Sequence, residues 1–307
     1  MRIASFNVQN LRLCRRGDAA RLAGARDADA DQPEDPDLDA ADRRLTAAVI
    51  ARTDADVVCL QEVHDLATLD HFHDAVLGPT GARPWPHRVC LPGNDGQGRD
   101  VALMSRRPLT EVASHARLIP ADLGLAPLSG ADPGRPIFCR DCLRAQIGPL
   151  TLFLVHFKAP WPDPAATHPI RACEAAAVRR LIERRFGADP QALWLVLGDL
   201  NEPAGQAQTP RAIAPLLPPF SVDLLARMPE SERWSTHLPH ENLYARPDGM
   251  LASPALARRW TDARPQIRRE GLAAEASRYP GPRLPGVGQH RPHASDHAAL
   301  LLHLPGL

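Results

Sequence analysis

The chain reads as short apolar runs that end abruptly in polar residues, with a few longer periodic stretches between them. Residues 1–9 alternate well enough for a strand, with Asn7 and Gln9 on one face. Val57-Val58-Cys59-Leu60 predicts a buried strand that delivers Gln61-Glu62. Val101 to Ser105, residues 111–119, Ile137 to Ile147 and Leu150 to Phe157 predict four more, the last two joined by Gly148-Pro149. The run Leu193 to Leu197 is long enough for a buried strand and too short for a typical helix, and Gly198 ends it. Asp199 and Asn201 follow two residues apart, so in extended chain both side chains point the same way. A strand running into an Asx-turn has the same local signature. Arg246 to Leu251 and Ala298 to Leu304 complete the strands.

Helical spacing covers 41–53, with Leu45, Ala48, Val49 and Ala51 on one stripe and Asp42 as candidate cap. It recurs over 65–77 and from Ile170 to Gly187. Residues 160–169 hold four prolines and predict no regular structure, and 120–136 and 265–292 read as irregular. Residues 15–42 are dense in charge and poor in apolar side chains, which predicts a mobile loop leaving the end of the first strand. No linker composition or internal repeat divides the chain. The expectation is a single domain over residues 1–307, sheet packed on sheet with helices outside.

Composition narrows the classes. With 44% apolar and 23% charged residues over 307 positions, the chain is an ordinary globular protein large enough for a substantial core. No run approaches the length of a membrane span, and the N-terminus carries no secretory h-region, so a cytoplasmic protein is expected. The 36 basic and 36 acidic residues cancel, so any hold on a phosphate backbone must come from a local patch. The basic residues are arginines except for Lys158. Cys139-x-x-Cys142 has no second CxxC to complete a zinc site, which leaves a local redox-sensitive pair as its alternative reading.

Polar residues end apolar strands six times: Asn7 with Gln9, Glu62, His156, Asp199 with Asn201, Asp248, and Ser295-Asp296-His297. Asn, Asp, Glu and His are the groups that bind a hard cation or move protons. One such strand end is ordinary, and six call for a common site.

The ordered set Ser5-Phe6-Asn7-Val8-Gln9-Asn10, Leu60-Gln61-Glu62-Val63, Val155-His156-Phe157, Gly198-Asp199-Leu200-Asn201, Asp248-Gly249-Met250-Leu251 and Ser295-Asp296-His297 resembles the endonuclease/exonuclease/phosphatase superfamily. The resemblance spans residues 2–304, and its specificity lies in the order of the six motifs. It implies a four-layer α/β sandwich: two mainly antiparallel sheets face to face, helices outside. It further implies that Glu62 is the main metal-binding carboxylate, that Asn7 lines the metal and phosphate site, and that Asp296 is a second metal-side carboxylate. Mg²⁺ is the implied metal, with Mn²⁺ as the alternative. Asp199 matches the residue that orients or deprotonates the attacking water, and Asn201 the neighbour that contacts the scissile phosphate. His297 matches a histidine that stabilises transition-state charge, Asp248 its carboxylate partner, and His156 a second histidine facing the phosphate or leaving oxygen. Arg140 falls where relatives hold a phosphate-contacting Arg. Gln9 departs from the pattern, since some relatives have an acidic residue or Arg there and a neutral amide contributes less to a second metal. Asp100, in Gly98-Arg99-Asp100-Val101-Ala102-Leu103, is a candidate orienter of His156, and a separate reading from spacing takes Lys158, on the same strand face as His156, as an ammonium reaching phosphate.

The implied reaction is metal-assisted attack of water on a phosphoester, without a covalent enzyme intermediate. The leading expectation is a nuclease acting on DNA or RNA, with Arg-rich loops at 258–269 and 278–291 available to a phosphate backbone. Against it stand the zero net charge and the scarcity of aromatic stacking platforms. The alternatives are a phosphatase or phosphodiesterase of small esters or lipid head groups, and a scaffold that only binds.

Overall fold

The structure, a computed structural model, describes residues 1–16, 19–26, 35–203 and 211–307. Among the described residues the elements run β1 (Arg2–Leu11), β2 (Leu13–Arg16), β3 (Ala19–Leu22), α1 (Pro36–Thr53), β4 (Val57–Val63) and α2 (Leu66–Phe72). Then come β5 (His87–Cys90), β6 (Asp100–Ser105), β7 (Thr110–Ala113), β8 (Cys142–Ile147), β9 (Leu150–His156), α3 (Pro164–Phe186) and β10 (Leu193–Asp199). The last part holds β11 (Val222–Asp223), β12 (Thr236–Leu238), β13 (Leu243–Ala245), β14 (Asp248–Ala252), α4 (Pro254–Arg259), β15 (Gln266–Arg268) and β16 (Ala299–His303).

Two six-stranded sheets dominate, in the orders β15-β16-β1-β4-β6-β5 and β11-β14-β10-β9-β8-β7. Each contains one parallel pair, β1–β4 and β9–β10, and is otherwise antiparallel. The strand alternation builds the layers. Ile3, Val57, Cys59 and Leu103 of the first sheet share one buried cluster with Leu152, Leu154, Leu195 and Leu197 of the second. The intervening residues point outward: Ala4, Phe6, Val58 and Leu60 pack with Leu45, Val49 and Ile50 of α1 and with Leu69 and Phe72 of α2. Phe153, Val155, Trp194 and Val196 pack with Val178 and Ile182 of α3. Because neighbouring positions face different layers and both are covered, the strands read as continuous apolar runs rather than alternating ones. The four-layer α/β sandwich expected from the sequence is the fold observed.

Several local expectations are corrected. Of the segment 15–42, residues 17–18 and 27–34 lie outside the described residues. The remainder is not loop alone: β2 pairs with β3 as a hairpin, and α1 begins at Pro36 rather than near 41. The cap is Asp35, whose side chain accepts from the Asp37 and Leu38 amides, and Asp37 and Asp39 suit the positive end of the helix. Likewise α3 starts at Pro164, six residues before the expected Ile170. Asp163 caps it through the Ala165 amide, and proline is at home in the first helical position. The strands expected over 111–119 and from Ile137 to Ile147 shorten to β7 and β8.

Asp42 is not a cap. It is fully buried in α1, where its carboxylate accepts from the Ala25 and His293 amides at 2.9 Å each and pairs with Arg291, 249 residues away. Losing a helix cap costs about 1 kcal/mol, whereas breaking a buried pair costs about 3–5 kcal/mol. Asp42→Ala is therefore expected to destabilise by about 3–5 kcal/mol in urea unfolding. A loss near 1 kcal/mol would restore the cap reading.

Candidate active site

Strand register places the polar ends in one row. Asp199 is level with His156 on parallel β9 and with Asp248 on antiparallel β14. In the facing sheet, Asn7 of β1 is level with Gln61 of β4, and Glu62 follows. His297 lies just before β16, which runs antiparallel to β1, so it reaches the same edge. Gly198 carries a φ of 135°, and a Cβ there would collide with the Val155 carbonyl oxygen. A glycine at that point lets β10 approach β9 closely enough to set Asp199 in the row.

Asn7 ties the two sheets together: its Nδ2 donates to Glu62 Oε1 and to Asp199 Oδ2, both at 3.1 Å. Glu62 Oε2 accepts from the Asn10 amide at 2.9 Å. Asp199 Oδ1 accepts from the Asn201 amide at 2.9 Å, and Asn201 Nδ2 donates to the Phe157 carbonyl at 3.0 Å. His297 donates through Nδ1 to Asp248 Oδ2 at 2.8 Å, leaving Nε2 3.9 Å from Asp199 Oδ2. His156 Nε2 lies 3.5 Å from Asp199 Oδ2 and 4.0 Å from Glu62 Oε1.

Gln9, Asn10, Glu62 and Asn201 all adopt positive φ, between 47° and 66°. Left-handed backbone at four non-glycine positions around one centre is strain, and such strain gathers at functional sites. Part of what holds it is Arg43, 1% exposed in α1. Its guanidinium donates to the Val8, Gln9, Ala23 and Gly24 carbonyls at 2.6–2.7 Å. Burial lowers its pKa to about 10, so it remains a cation at neutral pH.

The electrostatics divide the groups. Burial pushes the Asp199 carboxyl up to about 7, with His297 opposing that rise and Asp248 adding to it. Burial alone would lower His297, but Asp248 at Nδ1, then Asp296 and Asp199, raise it well above the ordinary imidazole value. His156 goes the other way: burial, then Arg140, His297 and Arg99, hold it well below that value. One histidine is thus a neutral group and the other a cation, separated by a carboxyl that can exchange a proton near neutrality. Burial also raises Asp296, with His297 opposing and Glu62 adding.

Asp199, Asp248 and His297 bring ligand atoms within 4.8 Å of one another, the one such His/Cys/Asp/Glu group among the described residues. Nδ1 of His297 is already committed to Asp248, so this trio holds its charge as an ion pair. Glu62 and Asp296 lie close enough for the Glu62 charge to add to the rise that burial gives Asp296, and paired carboxylate oxygens are the donor chemistry of a hard divalent cation. Asn7 turns its Nδ2 to Glu62 and its Oδ1 to the Gln9 amide, and so orients the set. Cys139 and Cys142 do not join a metal group, and burial raises the Cys139 thiol to about 12, far from a reactive thiolate.

The row thus gathers Asn7, Glu62, His156, Asp199, Asn201, Asp248, Asp296 and His297. Four other expected residues sit differently. Asp100 does not orient His156; its Oδ2 accepts from the Gly93 amide at 3.0 Å, under the 93–98 loop. Gln9 is buried, with Oε1 accepting from the Asp296 amide and facing His293 Nε2, both at 3.1 Å, so it supports Asp296 rather than facing a ligand. Arg140 donates to Asp95 and to the Phe157 carbonyl, next to Asn201. Lys158 donates from Nζ to the Trp161 carbonyl at 2.8 Å, in a groove beside the row. Sequence reasoning assigned no role to Ser235, whose Oγ donates to Asp248 Oδ2 at 2.5 Å, or to the Ser295 hydroxyl, which donates to the Asn7 carbonyl at 2.7 Å. Ser295 sits in a motif and was findable; Ser235 has no flanking signal.

The fold is that of a class of metal-dependent phosphoesterases. The chain belongs to the Endonuclease/Exonuclease/phosphatase family, whose model matches residues 4–297. Members of that superfamily are hydrolytic, metal-dependent phosphoesterases. Among curated proteins none matches the sequence significantly. Solved structures match over 98–99% of this chain. An AP endonuclease from Archaeoglobus fulgidus superposes with a TM-score of 0.59 at 16% identity, covering 99% of both chains. Truncated TDP2 from Caenorhabditis elegans gives 0.57 at 15%, covering 98% of this chain and 96% of that one. A mannosyl-6-phosphatase from Bacteroides thetaiotaomicron VPI-5482 gives 0.58 at 14%, covering 99% and 98%. Identities this low establish the shared fold and leave the substrate to the site itself. None of the described helices is long and apolar enough to cross a membrane.

Proposed function

We propose that this protein is a Mg²⁺-dependent hydrolase of phosphodiester bonds whose substrate is a nucleic acid. The observation that carries the chemistry is the Asp199–His297–Asp248 line: a carboxyl near neutrality beside an imidazolium fixed by its own carboxylate. In this reading Asp199 takes the proton of the attacking water, and its Oδ1 bond from the Asn201 amide fixes its orientation. His297 presents a positive Nε2 to the phosphoryl oxygens as charge builds there. Asn201 and neutral His156 line the same phosphate, and Ser235 with Asp248 keeps the imidazolium from turning. Glu62 and Asp296, with Asn7 orienting Glu62, would hold the divalent ion, which would supply charge neutralisation at the phosphoryl group. No side chain serves as a covalent nucleophile.

Nucleic acid is favoured over a small ester by the cation-lined groove past Arg99, Arg140 and Lys158, tied to the row through the Phe157 carbonyl that Arg140 and Asn201 share. The test is a substrate panel with Mg²⁺. Nicking of supercoiled plasmid or cleavage of oligonucleotides, without phosphate release from sugar or inositol phosphates, supports the reading. The reverse pattern assigns the chain to the phosphatases, and silence on both, with no Mg²⁺ binding by calorimetry, to the binding scaffolds.

A further inference from the structure

The chain has five tryptophans. Four are buried: Trp85, Trp194, Trp234 and Trp260 are each no more than 9% exposed. Trp161 is 71% exposed. It stands on the rim of a groove of about 570 Å³ lined by Arg99, Arg135, Arg140 and Lys158, with Asp95 as the opposing acid. An open indole costs solvation, and four cations crowded about one acid repel one another. Burial, and then Arg140, hold the Lys158 ammonium below its ordinary value. Both features make sense if an anion with an aromatic face completes the groove.

The groove is built rather than incidental. Arg140 is 5% exposed; its Nε and Nη1 are spent on Asp95 and the Phe157 carbonyl, and Nη2 has no partner among the described residues. Beneath it Glu174 of α3, fully buried, accepts from the Cys139 amide at 2.9 Å and the Lys158 amide at 2.8 Å. One carboxylate thus pins the backbone beside Arg140 and at Lys158. Lys158 in turn holds the Trp161 carbonyl. Two hydrogen-bond links tie the groove to the catalytic row. Phe157 O accepts from both Arg140 and Asn201, and Arg99 donates to Asn10, whose amide holds Glu62.

We infer that this groove is a subsite for the nucleotide next to the scissile phosphate, its phosphate held by Arg140, Arg99 and Lys158 and its base stacked on Trp161. The inference rests on the nucleic-acid reading above and makes it specific. A base can lie on an open indole only when it has left its own stack, so the substrate is a single strand, a frayed end or an extruded nucleotide rather than intact duplex.

The experiment titrates a short single-stranded DNA oligonucleotide into the full-length protein in EDTA while indole fluorescence is followed. Quenching is expected in the wild type, and anisotropy of an end-labelled oligonucleotide, which does not depend on the indole, should show Trp161→Ala binding about 5- to 100-fold more weakly, the range given by base–aromatic stacking. Trp161→Phe should recover most of the affinity, and Lys158→Ala and Arg99→Ala should each reduce the salt slope by about 0.7. The matched duplex should bind more weakly. An affinity for the single strand unchanged within twofold in Trp161→Ala, or equal quenching by duplex, overturns the subsite. Trp161 is exposed, so loss of fold does not confuse the result. Hydrolysis of bis(p-nitrophenyl) phosphate with Mg²⁺ by the same preparations separates the two readings. If it persists while the oligonucleotide fails to bind, the subsite falls and the phosphoesterase stands. If the oligonucleotide binds through Trp161 while no phosphoester is cleaved, the subsite stands and the hydrolase reading falls.

Discussion

Asp199→Asn is expected to lower phosphodiester turnover by about 10³- to 10⁴-fold, the upper part of what a positioned base contributes. The change removes the proton acceptor while keeping side-chain size and the oxygen that accepts from the Asn201 amide. The Asn7 amide loses its acceptor at Oδ2, a cost that does not vary with pH. Burial raises the carboxyl to about 7 from an unfolded value near 4, so the folded state holds the extra proton between those limits. Stability from this group is complete below pH ~4 and is lost as pH rises through ~7. The asparagine has no such loss. In EDTA, the melting temperature of the variant relative to wild type should therefore rise between pH ~4 and ~7 and level off above. A melting-temperature difference that stays constant between pH ~4 and ~8 would contradict the raised Asp199 carboxyl.

His297→Ala carries the second large effect, a fall of about 10²- to 10³-fold in kcat with a smaller change in KM. The imidazolium offers its charge to a phosphoryl group that becomes more anionic only as the bond breaks, so ground-state binding has less to lose. Asp248→Asn should fall between wild type and His297→Ala, because the ring loses the carboxylate that keeps it charged and turned. In His297→Ala, Asp248→Asn should then cost almost nothing further, since its effect passes through the ring. Independent, additive losses would break the pair apart.

Much of this site could be read from the sequence because of how buried strands are written. Leu193–Leu197 and Leu152–Val155 are unbroken apolar runs, so the first charged or titratable residue after each stands out, and those residues are Asp199 and His156. That they share a row depends on register across strands remote in sequence, which the family resemblance supplied and the apolar pattern did not. The misses have a common physical cause. Pro36 and Pro164 look like breakers but occupy first helical positions, so α1 and α3 begin earlier than periodicity suggests. Asp39 and Asp42 look like solvated charge, yet both pair with Arg291 across the fold. Asp100 turns its Oδ2 to the Gly93 amide rather than to His156. Trp161 has no sequence signature at all, since exposure of an indole is a property of what fails to pack over it.

The central claim is a metal-dependent centre that uses Asp199 to deliver water to a phosphoester. It is tested most directly by initial-rate hydrolysis of bis(p-nitrophenyl) phosphate, comparing EDTA-stripped wild type and Asp199→Asn as Mg²⁺ is returned. The prediction is a saturable recovery of turnover in the wild type and a rate at least about 10³-fold lower in the variant at every Mg²⁺ concentration. Equal rates in the two proteins, or full turnover by the wild type in EDTA, would contradict it.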